Sequence, residues 1–207
     1  PRSWRSGIPP SSSPQLSRAR RRVARGIDAV SLVAQWAGNT YCGWNPRSHR
    51  LFPYTLVLAA QTLHAVGYAI GQRLNEFAET VVVYVGDGAT SEGDMSEAMN
   101  LAAVESARVL FVCQNNGWAI SKPSTEQMLT SVAERAQGFG IRSWSIEADD
   151  PDDTYQLCLE ASRYVEASDS PGLVELRTTR SWGTARRTRT RSTARPKNSP
   201  PRPPTIP

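Results

Sequence analysis

The chain of 207 residues has a net charge of +5 and a sequence pI near 9.5, and its two ends account for this basic balance. Residues 1–50 hold nine Lys or Arg and one acidic residue, whereas residues 51–175 hold six Lys or Arg and eighteen acidic residues. Residues 176–207 hold nine Lys or Arg and no acidic residue. The length suffices for one domain with a hydrophobic core, and the lack of any run of about 18 apolar residues predicts no membrane-spanning helix.

The two ends are predicted to lie outside the folded domain. Residues 1–42 form a basic segment that we predict to be disordered or unrelated to the central domain, and residues 181–207 form an Arg- and Pro-rich tail that we predict to be disordered. Neither end has enough apolar side chains to offset the entropy lost on ordering. One folded domain is therefore expected over residues 43–180.

The cysteines indicate a reducing environment. Cys42, Cys113 and Cys158 are odd in number and far apart, a pattern that fits neither a disulfide framework nor a zinc site. Because unpaired thiols are typical of a reducing compartment, we expect a cytoplasmic protein.

From residue 54 onward the hydrophobic pattern alternates between helices and strands. Continuous apolar runs predict buried strands, whereas apolar residues at helical spacing after polar caps predict helices. The predicted elements are helices over 54–72, from 91 onward and over 149–167, and strands over 81–85, 109–113, 141–146 and 172–176. This alternation predicts an α/β fold, a parallel sheet flanked by helices.

Two polar motifs follow the first two predicted strands: Gly86-Asp87-Gly88 and Asn115-Asn116-Gly117-Trp118. Parallel strands connected through one helix end at the same edge of a sheet, so Asp87 and Asn116 are expected to lie close together. Carboxylate and amide oxygens are hard ligands of the kind that Mg²⁺ takes, and backbone N–H groups just before a helix favour phosphate. Asp-Gly and Asn-Gly are each common turn dipeptides, and only the pair predicts a metal–diphosphate site.

These motifs resemble the thiamine-diphosphate signature. The runs GDGATSEGD, EAMNLAAV and QNNGWAISKPSTEQ are similar to those of the alpha subunit of the decarboxylating component of 2-oxoacid dehydrogenases. The similarity extends over about residues 43–180 and includes PYTLVLAAQTLHAVGYAIG and PGLVELRTTR. It implies a thiamine-diphosphate-binding fold with thiamine diphosphate and Mg²⁺ as cofactors.

The resemblance also implies roles for individual residues. Asp87 and Asn116 would be side-chain metal ligands, and Trp118 would be a ligand through its backbone carbonyl. Gly88 and Ala89 would contact the diphosphate through backbone N–H groups. The aminopyrimidine would be lined by Leu56 and Leu58. No catalytic residue is assigned to this chain, because the glutamate that activates the aminopyrimidine belongs to the family's beta subunit.

The activity implied by the resemblance is oxidative decarboxylation of a 2-oxoacid, with transfer of the acyl group to a lipoyl-bearing acyltransferase. The run NNGWAIS favours a branched-chain 2-oxoacid, while pyruvate and acetoin stay open. A heterotetramer with the beta subunit is implied, and the helix face over residues 61–71, with its Ala and Gly residues, is a reasonable contact for that subunit. His64, on this apolar helix, is expected to be a packed core or interface residue.

Two alternatives stay open from the sequence. After Arg180 the chain lacks the family's His-containing acidic loop, and a reading-frame change near Trp182 would account for the basic tail, so the chain could be an inactive, truncated or frame-shifted subunit. Codons that cannot encode that acidic loop in another frame would exclude this. The basic ends could instead bind nucleic acid, although the acidic middle and the lack of aromatic residues among the tail arginines argue against it.

Overall fold

The computed structural model describes the central part of the chain. The described residues are 23, 25–34, 38, 42–53, 55–77 and 79–179. The whole tail over residues 181–207, including the segment in which a reading-frame change is hypothesised, lies outside them, as does most of the segment over residues 1–42. The predicted domain boundaries therefore stay predictions.

A four-stranded parallel sheet forms the centre of the fold. Its strands are β1 (Val81–Gly86), β2 (Val109–Asn115), β5 (Arg142–Glu147) and β6 (Gly172–Arg177), in the spatial order β1-β2-β6-β5. A separate two-stranded antiparallel hairpin consists of β3 (Trp118–Ala119) and β4 (Lys122–Pro123). The sequence prediction of a parallel α/β sheet is confirmed.

Helices cover both faces of this sheet. The main helices are α3 (Ala60–Leu74), α4 (Gly93–Val104), α5 (Val132–Gly138) and α6 (Pro151–Ser168), and two short helices, α1 (Ala29–Ala34) and α2 (Pro46–His49), precede them. In the described part of the chain, no helix combines the length and apolar character needed to cross a bilayer.

The alternation of side chains along β2 divides the core into two layers. Phe111 and Cys113 lie in the larger layer, with buried residues of α3, α4 and α5, whereas Leu110 and Val112 lie in the smaller layer with Ala161 of α6 and other residues of that helix. Successive side chains of a strand point to opposite faces, so β2 must be apolar at every position that both layers cover. Residues 109–113 are all buried.

Three local features differ from the sequence prediction. The helix expected from residue 54 begins only at Ala60, after a residue in the left-handed conformation (Ala59, φ 63°). Ser91 does not cap α4: it ends a 3-10 helix over Asp87–Ser91, and Glu92 precedes α4 without a side-chain capping bond. The short helix α5 and the β3–β4 hairpin were not predicted.

The space around Gly172 and Gly67 shows how closely the helices pack at these two positions. A methyl group added at Gly172 would lie 2.9 Å from Val165 Cγ2 and 3.2 Å from Trp144 Cζ3, whereas one added at Gly67, on α3, would meet no atom within 4 Å. We expect Gly172→Ala to lower the free energy of unfolding by about 1–3 kcal/mol, because Val165 is fully buried and the short contact can be relieved only by a shift of one of the two residues within the packed core.

The matched variant Gly67→Ala should raise the free energy of unfolding by about 0.5–1 kcal/mol, because alanine favours the helix interior. Urea unfolding of the two variants and the unchanged chain measures both effects. Equal stability of the two variants would contradict the close contact between β6 and α6.

Candidate functional site

Two loops meet at the carboxyl edge of the sheet. The first site loop is the 3-10 helix Asp87–Ser91 after β1, and the second site loop comprises residues 115–118, at the end of β2 and the start of β3. Parallel pairing of β1 with β2 sets Gly86 opposite Gln114, so that the two loops begin side by side. The structure therefore brings Asp87 and Asn116 together, as their positions after neighbouring strands predict.

The carboxylate of Asp87 is the most unusual group in the site. The residue is only 2% exposed, and its Oδ2 atom has no hydrogen-bond partner in the described part of the chain. Burial raises the pKa of Asp87, and the backbone N–H groups of Asn116, Gly88 and Trp118 lower it only in part. An acidic oxygen is thus buried without a compensating donor, which is the condition that a bound cation would relieve.

Hydrogen bonds between side chains and the backbone shape the second site loop. Asn115 Oδ1 accepts from the Gly117 N–H at 2.9 Å, and Asn116 Oδ1 accepts from the Trp118 N–H at 3.0 Å. Gly117 adopts a left-handed conformation (φ 74°), which glycine reaches without steric cost. These bonds use one acceptor position of the Asn116 amide oxygen, and a second lone pair stays available for a metal ion.

Gly88 allows the hairpin to approach the first site loop. A Cβ atom at this position would lie 2.6 Å from the Ala119 Cβ, a separation that real side chains do not adopt. The main chain around Trp118 therefore lies close to Asp87 only because residue 88 is glycine. Ala89, the other residue predicted to contact a diphosphate, is buried in the same 3-10 helix.

Leu56 and Leu58 lie apart from this cluster. They belong to the irregular segment before α3 and are 81% and 56% exposed, as is the neighbouring Val57 at 65%. Neither leucine belongs to the described apolar clusters, whereas Ala59, directly after them, is buried in the larger layer of the core. The predicted contact of these leucines with a cofactor stays a prediction, and their exposure leaves them open to a ligand or a partner.

Three residues at the site escaped the sequence prediction. Arg135 of α5 donates to Thr90 Oγ1 at 3.3 Å, and Thr90 donates in turn to the backbone carbonyl of Asp87 at 2.7 Å. Glu175 of β6, which is fully buried, accepts from Asn115 Nδ2 at 2.7 Å. The sequence contains a pattern that could have indicated Glu175 and another that could have indicated α5. A glutamate interrupts the apolar run of β6, and Ser131 and Glu134 form a capping box at the start of α5.

The predicted metal ligands include only one charged group, the Asp87 carboxylate. In the part of the chain that the structure describes, no group of three or more His, Cys, Asp or Glu residues could hold a metal ion. One carboxylate, one amide oxygen and one backbone carbonyl would leave half of an octahedral coordination shell to other ligands. Mg²⁺ is commonly bound in this way, since it keeps several waters and takes oxygens from substrate phosphates.

His64 does not take part in the core. Its side chain is exposed on α3, so the expectation of a packed core residue is wrong for this chain, and an interface role stays open. Gly67, one turn further along the helix, also has open space around it. On the same side of α3, the ring of Tyr68 packs edge-on against Phe52 at a centroid distance of 5.0 Å, so this face is covered only in part.

The comparisons with known proteins agree with these features. The family model described as dehydrogenase E1 component matches residues 17–193. The 3-methyl-2-oxobutanoate dehydrogenase subunit alpha of Mycobacterium tuberculosis is 39% identical over 155 residues, which are 74% of this chain and 42% of that protein.

Two eukaryotic relatives show the same similarity. The 2-oxoisovalerate dehydrogenase subunit alpha 2, mitochondrial, of Arabidopsis thaliana is 38% identical over 130 residues, 62% of this chain and 28% of that protein. The corresponding human mitochondrial subunit alpha is 38% identical over 124 residues, 59% of this chain and 28% of that protein. The chain thus spans less than half the length of these relatives. Because the family model covers most of the sequence, this chain belongs to the dehydrogenase E1 component family.

Proposed function

We propose that this chain is the thiamine-diphosphate- and Mg²⁺-binding alpha subunit of a 2-oxoacid dehydrogenase. The observation that carries the proposal is the buried Asp87 carboxylate, whose Oδ2 atom lacks a donor in the described structure at the junction of the two site loops. Family membership supports the same cofactor, since the matched family is a dehydrogenase E1 component.

The residues present fit the proposed cofactors. Asp87, Asn116 and the Trp118 carbonyl supply hard oxygen ligands for Mg²⁺, and Gly88 and Ala89 bring backbone N–H groups of the first site loop to the diphosphate. When bound, thiamine diphosphate supplies the nucleophilic carbon and the electron sink for decarboxylation. This chain's own contribution is to hold the metal and the diphosphate and to exclude water around Asp87.

The names of the relatives support a proposal for the substrate and the partners. Those compared above are named 3-methyl-2-oxobutanoate or 2-oxoisovalerate dehydrogenase subunits, which supports a branched-chain 2-oxoacid over pyruvate or acetoin. We propose a heterotetramer with a beta subunit that supplies the catalytic acid, and acyl transfer to a lipoyl-bearing acyltransferase. The exposure of His64 and Gly67 on α3 and of the segment over residues 56–58 supports subunit contacts at these positions.

A cytoplasmic location is proposed on the cysteines. Cys42, Cys113 and Cys158 are all free thiols in the structure, and burial raises the pKa of the Cys158 thiol to about 11, which makes it unreactive at neutral pH. Structural thiols of this kind suit a reducing compartment.

Removal of the Asp87 carboxylate should abolish the cofactor site. We expect Asp87→Ala to weaken Mg²⁺-dependent binding of thiamine diphosphate by about 100-fold or more, because it removes the carboxylate of the proposed ligand set. Isothermal titration calorimetry of the full chain, alone and mixed with a branched-chain dehydrogenase beta subunit, measures the affinity.

The control for this change is Asp153→Ala, which removes an exposed carboxylate from the first turn of α6. It should leave the affinity unchanged. If the unaltered chain binds no thiamine diphosphate under either condition, the proposed function is wrong, and the inactive-subunit alternative gains support.

The buried carboxylate should also cost stability when no metal is present. Because its folded pKa is raised, the native protein binds the Asp87 proton more tightly than the unfolded chain does, so stability falls as pH rises from about 4 through the folded pKa. We expect apo Asp87→Asn to be more stable than the unchanged chain at pH 7, by on the order of 1 kcal/mol, and equally stable below pH about 4.

Urea unfolding at several pH values measures this difference, and Mg²⁺ with thiamine diphosphate should reverse it at pH 7 by stabilising only the unchanged chain. A difference that is independent of pH would show that ionisation of Asp87 has no part in it.

A further inference from the structure

Glu175 is a buried acid that the proposed cofactor contacts leave unexplained. It lies within β6, directly after the buried residues Leu173 and Val174, and its side chain has no exposure to solvent. Strand β6 is central in the sheet, between β2 and β5. An apolar residue there would extend the larger core layer, and a buried carboxylate is costly unless its oxygens are bonded.

Both oxygens of Glu175 are in fact bonded. Oε1 accepts from Asn115 Nδ2 at 2.7 Å, and Oε2 accepts from the backbone N–H of Ala133 at 3.2 Å. Glu175 therefore connects three elements: the central strand β6, the end of β2 and the start of α5. Neither bonded partner is itself a proposed ligand of the metal or the diphosphate.

The bond to Asn115 determines how its amide is oriented. With Nδ2 directed to Glu175, Oδ1 faces the Gly117 N–H and accepts from it at 2.9 Å. An amide rotated by half a turn would set an NH₂ group against that N–H, and a second donor would replace the acceptor. Glu175 thus selects the turn that carries Asn116 and Trp118.

Helix α5 joins the same network to the first site loop. Ala133 bonds to Glu175, and Arg135, two residues later, donates to Thr90, whose hydroxyl donates to the Asp87 carbonyl. Arg135 also donates to Ser96 on α4 at 3.3 Å. The two loops are thereby attached to one short helix, which sets the distance between them.

We propose that Glu175 is a positioning residue that holds the second site loop in the conformation that binds the metal. It does so through Asn115, without contact to metal or cofactor, and it maintains the spacing to the first site loop through α5. The effect on affinity rests on the proposed function, whereas the effect on the loop does not. Residues that hydrogen-bond to metal ligands commonly change metal affinity by about 10–100-fold when they are removed, and we expect an effect in this range for a residue that orders the loop carrying two of the ligands.

A swap of hydrogen-bonding groups tests the proposal. In Glu175→Gln, the amide has one acceptor for two donors, so either Ala133 or Asn115 meets a second NH group. In Asn115→Asp alone, two carboxylates would face each other at the 2.7 Å separation of the present bond. The double variant satisfies every group, because the carboxylate introduced by Asn115→Asp would accept from both the new glutamine and Gly117, while the glutamine oxygen accepts from Ala133.

Two measurements on the full chain decide the outcome. Hydrogen exchange at the Gly117 and Trp118 amides, without cofactor, should be at least about 10-fold faster in each single variant and should return to the original rate in the double variant. Calorimetric affinity for thiamine diphosphate with Mg²⁺ should fall about 10–100-fold in each single variant and recover to within about threefold in the double variant.

The control is Glu147→Gln, which removes a carboxylate from the end of β5, where it accepts from Arg177 on the surface. It should change neither exchange nor affinity. Should Glu175→Gln fail to fold, Asn115→Asp decides the outcome, because it disrupts the bond to Glu175 and keeps an acceptor for the Gly117 N–H. It should give the same two changes.

Unchanged loop exchange in the single variants, or a double variant that does not recover, would overturn the positioning role. A lower melting temperature with unchanged affinity would also overturn it, by reducing Glu175 to a structural residue. If the unaltered chain binds no cofactor, the proposed function fails, and the exchange measurement still decides whether Glu175 orders the loop.

Discussion

The parallel pairing of β1 with β2 is the constraint on which the site depends. In this register Gly86 lies opposite Gln114, so both strands end at the carboxyl edge of the sheet, and Asp87 and Asn116 lie next to each other there. A slip of the pairing by one residue would exchange the side chains of β2 between the two core layers, so that Leu110 and Val112 would face the layer that now holds Phe111 and Cys113. Because β2 is buried on both faces, core packing fixes the register, and the register in turn brings the site together.

The same edge of the sheet contains buried carboxylates whose burial is only partly compensated by hydrogen bonds. Asp87 is buried with one oxygen lacking a donor in the described structure, while Glu175, a second buried acid, has both oxygens bonded. The two carboxylates therefore differ in role. Glu175, with hydrogen bonds to both oxygens, makes its surroundings more rigid, whereas Asp87 has an oxygen that can still bind a cation. Binding sites commonly lower the stability of a protein when they are empty.

The sequence predicted what depends on local pattern. Continuous apolar runs predicted β1 and β2, and two further short segments predicted β5 and β6, all within one or two residues of the observed bounds. The two polar motifs after β1 and β2 predicted the joined loops. Contacts distant in sequence were missed: Glu175 meets Asn115 across 60 positions, and no local pattern shows that a glutamate in an apolar strand faces an amide. The hairpin depends on the approach of Ala119 to Gly88, and α3 begins at Ala60, directly after the exposed segment over residues 56–58 and the left-handed Ala59. Ser91 resembles a helix cap but ends the 3-10 helix instead.

The central claim is that the two site loops form a metal site of oxygen ligands. Anomalous diffraction from crystals of this chain grown with thiamine diphosphate and Mn²⁺, an ion that suits the same ligands as Mg²⁺, tests it most directly. The account predicts one manganese peak bonded to Asp87 Oδ2, Asn116 Oδ1 and the Trp118 carbonyl oxygen. A manganese ion bound elsewhere, or an Asp87 carboxylate that stays without a metal while the diphosphate is bound, would contradict it.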